Sequence, residues 1–221
     1  SIAAFSIATM SFSAVNSEIR IGVVANMAAD YGVAEETLKD SGRKTEEHAV
    51  MAHSYGSVFA EFSIEQAMGL TLGVEYAAQS IDLEQETRGI RAEGGADAGA
   101  DSGDQLIDAQ VEGITTVYVA LPVGSSGAYI KAGYVMAELQ TKETLATGST
   151  YANVDMEGTT VGAGYMGTIG ERGFYKLEGT YTEYDKMGLN GSEAGSAAGN
   201  FNKIDAQISG VAARLAVGVR F

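Results

Sequence analysis

The stretch VAARLAVGVRF, residues 211–221, decides the fold class of this 221-residue chain. Every second residue in it is apolar, while the residues between are glycine, alanine or arginine. The apolar positions are Val211, Ala213, Leu215, Val217, Val219 and Phe221. A period of two is that of a β-strand, because successive side chains point to opposite faces of a sheet. The stretch is therefore predicted to be a strand with one purely apolar face.

The composition excludes several classes of protein. The chain has 29 glycines, 11 tyrosines and one proline, which is typical of strand-rich proteins rather than disordered ones. A mean hydropathy of +0.01 excludes a conventional helical membrane protein. The absence of cysteine excludes disulfides, thiol catalysis and thiolate metal sites. A net charge of −15 argues against a nucleic acid partner, because phosphates require lysine and arginine.

The first residues carry a feature of exported proteins. The stretch SIAAFSIATMSFSA, residues 1–14, is apolar and ends in small residues like those at a signal-peptide cleavage site, but it lacks the charged segment that precedes such a stretch. Residues 1–17 are therefore either the remnant of an export signal or an ordered N-terminal segment. Residues 18–221 are predicted to form one domain.

The alternation of residues 211–221 recurs along the rest of the chain. The predicted strands are Glu18–Met27, His53–Ile64, Leu70–Leu83, Ala109–Leu121, Ala128–Gln140, Ala152–Thr168, Gly173–Asp185 and Lys203–Phe221. Their connections alternate between long segments and the short turns EQAMG, PVGSSG and IGERG. Short turns at one end and long loops at the other are typical of up-and-down barrels of the bacterial outer membrane.

The two faces of these strands differ in character. One face is apolar, as at Val111, Val117 and Val119 of the fourth strand. The charged residues of the opposite faces are Arg20, Glu61, Glu75, Glu112, Lys131, Lys176, Glu178, Arg214 and Arg220. An eight-stranded barrel has an interior just wide enough for side chains, and opposite charges enclosed there have to pair. The pattern therefore predicts a filled polar lumen that holds a network of these charges.

Together these features resemble the small eight-stranded outer-membrane β-barrels of Gram-negative bacteria, of the outer membrane protein A and X type, which include the opacity-like adhesins. The most specific element is the set Leu215, Val217, Val219 and Phe221, which is similar to the C-terminal signal read by the barrel-assembly machinery. The resemblance implies an all-β, eight-stranded antiparallel up-and-down transmembrane β-barrel. It also implies a place in the bacterial outer membrane, surrounded by outer-membrane lipid.

Three motifs suggest chemistry, but none predicts a site. GAGYMG, residues 162–167, matches a dinucleotide-binding pattern, yet a strand rather than a helix is predicted after it. His48 and His53 lie near acidic residues without a nucleophile motif or metal-binding spacing. Residues 82–108 carry eight acids against two arginines, without the spacing of a calcium loop. No catalytic residue, metal or cofactor is therefore expected.

These observations predict a non-enzymatic protein with a structural or surface-interaction role. Its long acidic extracellular loops would contact an extracellular ligand or another surface protein. Two alternatives remain open from the sequence. One is a narrow, porin-like diffusion channel, and the other is a soluble or assembled β-sandwich surface protein.

Overall fold

The computed structural model describes residues 17–37, 42, 44–82, 86–90, 103–144, 151–194 and 201–221. The predicted N-terminal segment, apart from Ser17, lies outside the described residues. The strands are β1 (Ser17–Thr37), β2 (Lys44–Ile64), β3 (Leu70–Ala77), β4 (Ile81–Asp82), β5 (Glu86–Ile90), β6 (Gly103–Pro122), β7 (Ala128–Thr144), β8 (Val154–Ile169), β9 (Gly173–Tyr184), β10 (Met187–Ala194) and β11 (Phe201–Arg220). A single-turn 3-10 helix, Glu65–Ala67, joins β2 to β3. In the part of the chain that the structure describes, no helix is long and apolar enough to cross a membrane.

The strands form one antiparallel sheet that closes into a ring of eight positions. β3, β4 and β5 follow one another along the same neighbour, β6, and β9 and β10 follow one another along β11. The ring closes where β1 pairs with β11, from Arg20 opposite Arg220 to Thr37 opposite Lys203. The predicted fold class, an eight-stranded antiparallel up-and-down β-barrel, is confirmed. The β-sandwich alternative is wrong, because a single sheet closes on itself here and no second sheet faces it in the described residues.

The outer surface of the barrel is apolar around the ring. Exposed apolar side chains on it include Ile19, Ile21, Val23, Val58, Leu72, Tyr76, Val117, Val119, Ile130, Tyr134, Val161, Tyr165, Leu177, Tyr181, Val211, Leu215, Val217 and Val219. They lie on the apolar faces that the alternation predicts. A soluble monomer rarely exposes a continuous apolar surface of this extent.

A β-bulge in β6 corrects the predicted faces of that strand. The register between β6 and β7 shifts between Glu112 and Thr115, and Gly113 adopts a left-handed backbone with φ of 65°. One extra residue in a strand reverses the direction of every side chain beyond it. Val111, which was expected to face outward, is therefore buried inside the barrel, and Glu112 lies on the outer face.

The interior contains two apolar clusters, one toward each end of the barrel. The cluster toward the long-loop end consists of Ala77, Ile81, Val111, Ile114, Val135, Leu139, Met156 and Met187. The cluster toward the short-turn end consists of Val24, Phe59, Phe174 and Ala216, with the rings of Phe59 and Phe174 in an edge-to-face contact at 6.1 Å. The alternating sequence predicts a polar lumen throughout, so the apolar cluster at the long-loop end is an unexpected feature.

Candidate functional site

A layer of charged side chains crosses the lumen between the two ends of the barrel. It is defined by Glu61, Glu75, Lys131, Lys176, Glu178 and Arg214, and we call it the charged layer. These residues come from β2, β3, β7, β9 and β11. Each of them alternates with residues of the apolar outer face, so the strand period directs each side chain inward.

Arg214 lies at the centre of the charged layer. Its guanidinium contacts Glu75 through Nη2 and lies 2.8 Å from Glu178 Oε2 through Nη1. Its Nε donates a hydrogen bond to Asn26 Oδ1 at 2.8 Å. The ammonium of Lys131 lies 3.5 Å from Glu178 Oε2 and 3.8 Å from Glu75 Oε2. Each of these two carboxylates is therefore paired with two cations.

Glu61 forms the second centre of the layer, and its side chain is completely buried. Lys176 Nζ contacts Glu61 Oε1, and the Tyr118 hydroxyl donates a hydrogen bond to the same oxygen at 2.8 Å. Arg20 Nη1 lies 3.6 Å from Glu61 Oε2, which has no hydrogen-bond partner among the described residues. Glu61 is thus held between Arg20 on the short-turn side and Lys176 within the layer.

Neutral groups complete the layer and separate its charges. The Tyr129 hydroxyl donates to Glu178 Oε1 at 2.7 Å, and the Ser57 hydroxyl donates to Glu75 Oε1 at 2.6 Å. The Lys131 ammonium lies 3.7 Å from the centre of the Tyr118 ring. Cation–π contact and charge-assisted hydrogen bonds offset the cost of removing these ions from water.

Two cavities lie on opposite sides of the charged layer. The cavity toward the long-loop end has a volume of about 70 Å³, and Glu75 and Arg214 form its base. The cavity toward the short-turn end has a volume of about 190 Å³ and includes Arg20, Tyr129 and Lys176 in its lining. The two cavities share no lining residue, so the layer separates them.

The structure brings seven of the nine predicted lumen charges together and places two elsewhere. Arg20 and the six residues of the charged layer lie inside the barrel. Arg220 lies at the short-turn rim, where its Nη1 is 3.9 Å from Glu18 Oε2. Glu112 departs from the prediction, because the bulge turns it to the outer face, where it accepts a hydrogen bond from Gln140 at 2.9 Å.

Several neutral members of the site were not predicted from the sequence. These residues form hydrogen bonds with the charged side chains and, like them, occupy the inward-facing alternate positions of their strands. They are Asn26, Ser57, Tyr118 and Tyr129. This alternation along the strand is the sequence signal that could have identified them, although it does not show which charged residue each one binds.

The remaining predicted residues lie outside this layer. Leu215, Val217 and Val219 lie on the outer face of β11, beside β1, and Phe221 N donates a hydrogen bond to Ile19 O at 2.9 Å. Their role as an assembly signal stays a prediction.

His48 binds Tyr31 at 2.8 Å and lies 3.1 Å from Glu46, while His53 lies 3.6 Å from Asp30. Residues 162–167 lie within β8, and strand β9 rather than a helix follows.

A matched pair of substitutions tests whether a carboxylate inside the barrel contributes more to stability than one on its outer face. Glu178→Leu is expected to lower the stability of the folded barrel by about 3–5 kcal/mol, because it leaves Lys131 and Arg214 with one acid fewer in a buried site. Glu112→Leu, on the outer face of β6, is expected to change the stability of the folded barrel by less than about 1 kcal/mol. Urea unfolding in detergent measures both. Equal losses for the two variants would contradict the placement of Glu112 outside the lumen.

The comparisons with known proteins return structures rather than sequence families. No family model and no curated protein matches the chain. The chain is similar to the outer membrane protein OprG from Pseudomonas aeruginosa, with 13% identity over 90% of this chain and 96% of that chain and a TM-score of 0.46. It is similar to the outer membrane protease OmpT from Escherichia coli, with 11% identity over 96% and 98% of the two chains and a TM-score of 0.46. It is also similar to Ail, the attachment invasion locus protein of Yersinia pestis, with 12% identity over 90% and 99% and a TM-score of 0.37.

Proposed function

We propose that this protein is a non-enzymatic β-barrel of the bacterial outer membrane, with a closed lumen and a structural or surface-interaction role. The observation that carries the proposal is the combination of an apolar outer surface with a buried charged layer. A soluble barrel would have the reverse arrangement, with its charges in water and its apolar side chains inside.

The dimensions of the barrel fit a membrane. A tilted strand of about 9–11 residues crosses a bilayer, and β1 and β2 have 21 residues each. Tyr165 and Tyr175, whose ring centroids are 6.3 Å apart, lie toward the short-turn end, and Tyr31, Tyr76 and Tyr134 lie toward the long-loop end. Tyrosines at two levels are typical of the aromatic girdles at the two membrane interfaces. The outer face would therefore contact outer-membrane lipid, and the barrel-assembly machinery would insert the chain.

The wall beyond the membrane supports a surface-interaction role. Glu46, Glu35 and Asp205 occupy paired positions on β2, β1 and β11 near the long-loop end. Lys44 donates a hydrogen bond to Glu35 at 2.6 Å, and this bond raises the pKa of the exposed Lys44 ammonium. The acidic stretch 83–85 and 91–102 lies outside the described residues. An acidic extracellular surface favours a cationic ligand or surface protein as the partner.

The absence of enzymatic activity is part of the proposal. Both histidines are held in local contacts, His48 by Tyr31 and Glu46, and His53 beside Asp30. Purified protein is expected to show no turnover with peptide, ester or phospholipid substrates. Hydrolysis that is lost in Asp30→Asn or His53→Gln protein would contradict this.

Conductance decides between a closed barrel and a narrow channel. Because the charged layer separates the two cavities, planar bilayers containing the protein are expected to show no steady single-channel steps. Tyr118→Ala removes an inward ring from the layer and is expected to admit a potassium flux into vesicles, whereas Tyr134→Ala on the outer face is not. Steady, large steps from the unmodified protein would favour the channel instead.

A further inference from the structure

The apolar outer face reaches farther toward the long-loop end on one wall of the barrel than on the wall opposite. The higher wall consists of β1 and β2, and the lower wall consists of β7 and β8, four positions away around the ring of eight. The apolar side chains at the top of the higher wall form what we call the upper apolar patch. They are Ala29, Tyr31, Val33, Val50 and Ala52. We propose, on the basis of the function proposed above, that lipid acyl chains cover this patch, while water surrounds the lower wall at the same height.

The stagger of the strands shows how high the patch lies. A line of paired residues on the outer face starts at Ile21 on β1, runs once around the ring and returns to β1 at Tyr31, ten residues further along the strand. Between these ends it passes through Ala60, Val74, Val117, Tyr134, Thr159, Glu183 and Ser209. The line rises evenly because the strands are tilted, so Tyr134 of β7, halfway around, lies about five residues lower than Tyr31. At about 3.3 Å per residue in strands tilted by about 40°, the difference in height is roughly 12 Å.

Two tyrosines mark the polar boundary of the outer face on the two walls. On the lower wall, the Tyr134 hydroxyl donates a hydrogen bond to Glu157 Oε2 at 2.6 Å. On the higher wall, the Tyr31 hydroxyl lies 2.8 Å from His48 Nδ1, and the Tyr31 ring belongs to the patch. A tyrosine with an apolar ring and a hydroxyl bound to a polar group is suited to the interface between lipid and water. The boundary therefore lies higher at β1 and β2 than at β7 and β8.

The carboxylates of the outer face follow the same slant. On the lower wall they begin just above the register line, with Glu157 on β8 and Glu138 on β7. Within the described strand β1, the first carboxylate on the outer face is Glu35, beyond the patch. Moving a carboxylate from water into hydrocarbon is costly, so these residues set the upper limit of lipid contact on each wall.

The upper apolar patch continues the lipid-facing surface without a break. Val23 and Met27 lead up the outer face of β1 to Tyr31, and within this described strand no charged residue lies between them on that face. Val50 is 72% exposed and Tyr31 is 45% exposed, so both side chains gain free energy by leaving water. Because the patch is joined to the apolar belt, the lipid around the belt also covers the patch when the barrel leans toward β1 and β2.

Nitroxide spin labels on single cysteines test the inference, because the chain has no cysteine of its own. Val50→Cys on β2 reports on the patch. Asp155→Cys, at nearly the same height on the opposite strand β8, is the matched control. Val161→Cys, lower on the outer face of β8, reports on the proposed function itself. In phosphatidylcholine vesicles, the collisions of each label with oxygen, which dissolves in hydrocarbon, are compared with its collisions with a nickel chelate, which stays in water.

The ratio of oxygen to nickel collisions is expected to be at least about fivefold higher at Val50 than at Asp155, and close to the ratio at Val161. Equal ratios at Val50 and Asp155, with a high ratio at Val161, would overturn the inference and leave the proposed function intact. A low ratio at Val161 in folded protein would overturn both. Spectral broadening at Val50 that disappears on dilution with unlabelled protein would also overturn the inference, because a second copy of the chain would then cover the patch.

Discussion

Arg214→Leu is expected to destabilise the folded barrel by about 3–5 kcal/mol, because Glu75 and Glu178 would then face each other in a buried layer with Lys131 as their main cation. Arg214 is 8% exposed and contacts both carboxylates, so no solvent compensates for its loss. Urea unfolding in detergent, followed by the gel mobility of unboiled samples, measures the effect.

Two controls separate this effect from a general loss of packing. Arg220→Leu, at the more exposed rim, is expected to cost less than about 1 kcal/mol. In the double variant Arg214→Leu, Glu75→Leu, one cation and one acid are removed together, so its loss should be smaller than the sum of the two single losses. Strictly additive losses would show that Arg214 and Glu75 do not stabilise each other.

Gly22→Leu is expected to prevent closure of the barrel. Gly22 lies on β1 at the seam with β11, where a Cβ atom would be 2.3 Å from the Val217 carbonyl oxygen and 2.7 Å from the Phe59 ring. Neither the seam backbone nor the buried ring has room to move, since interiors are close-packed. The fraction of protein with the mobility of a folded barrel on unboiled gels is expected to fall close to zero.

The matched control is Gly179→Leu. Gly179 lies on the outer face of β9, and a Cβ atom there would meet nothing within 4 Å. This variant is expected to fold in the same yield as the parent protein. If both glycine variants fold equally well, the close approach of β1, β11 and Phe59 in the structure is wrong.

The fold could be predicted from the sequence because lipid-facing and interior-facing residues alternate in a strand. Leu215 and Leu177, which oppose each other on β11 and β9, each lie in an unbroken pattern of apolar and polar positions. The pattern failed at Val111 and Glu112, because a bulge inserts one residue and the only local sign of it is Gly113. A single glycine in a chain with 29 of them does not identify a bulge.

The sequence predicts that the residues of the charged layer face the interior, but not which of them pair with each other. The alternation along each strand alone assigned Glu61, Lys176 and Arg214 to the interior. The pairing of Lys176 with Glu61 crosses the lumen between residues 115 positions apart, and it depends on the stagger of the strands around the ring. The cavity toward the long-loop end could not be predicted either, because its lining comes from strands far apart in the sequence, such as β2 with His53 and β11 with Arg214.

The most direct test of the central claim uses the absence of tryptophan from the chain. Single tryptophans would replace Val23, Leu177 or Leu215 on the apolar outer face, and Asp205 on the wall beyond it. In vesicles that contain brominated lipid, the fluorescence of the first three is expected to be strongly quenched and shifted to shorter wavelength, and that of the Asp205→Trp protein to be nearly unaffected. Fluorescence that is unquenched at Val23, Leu177 and Leu215 in correctly folded protein would contradict a barrel whose outer face is in contact with lipid.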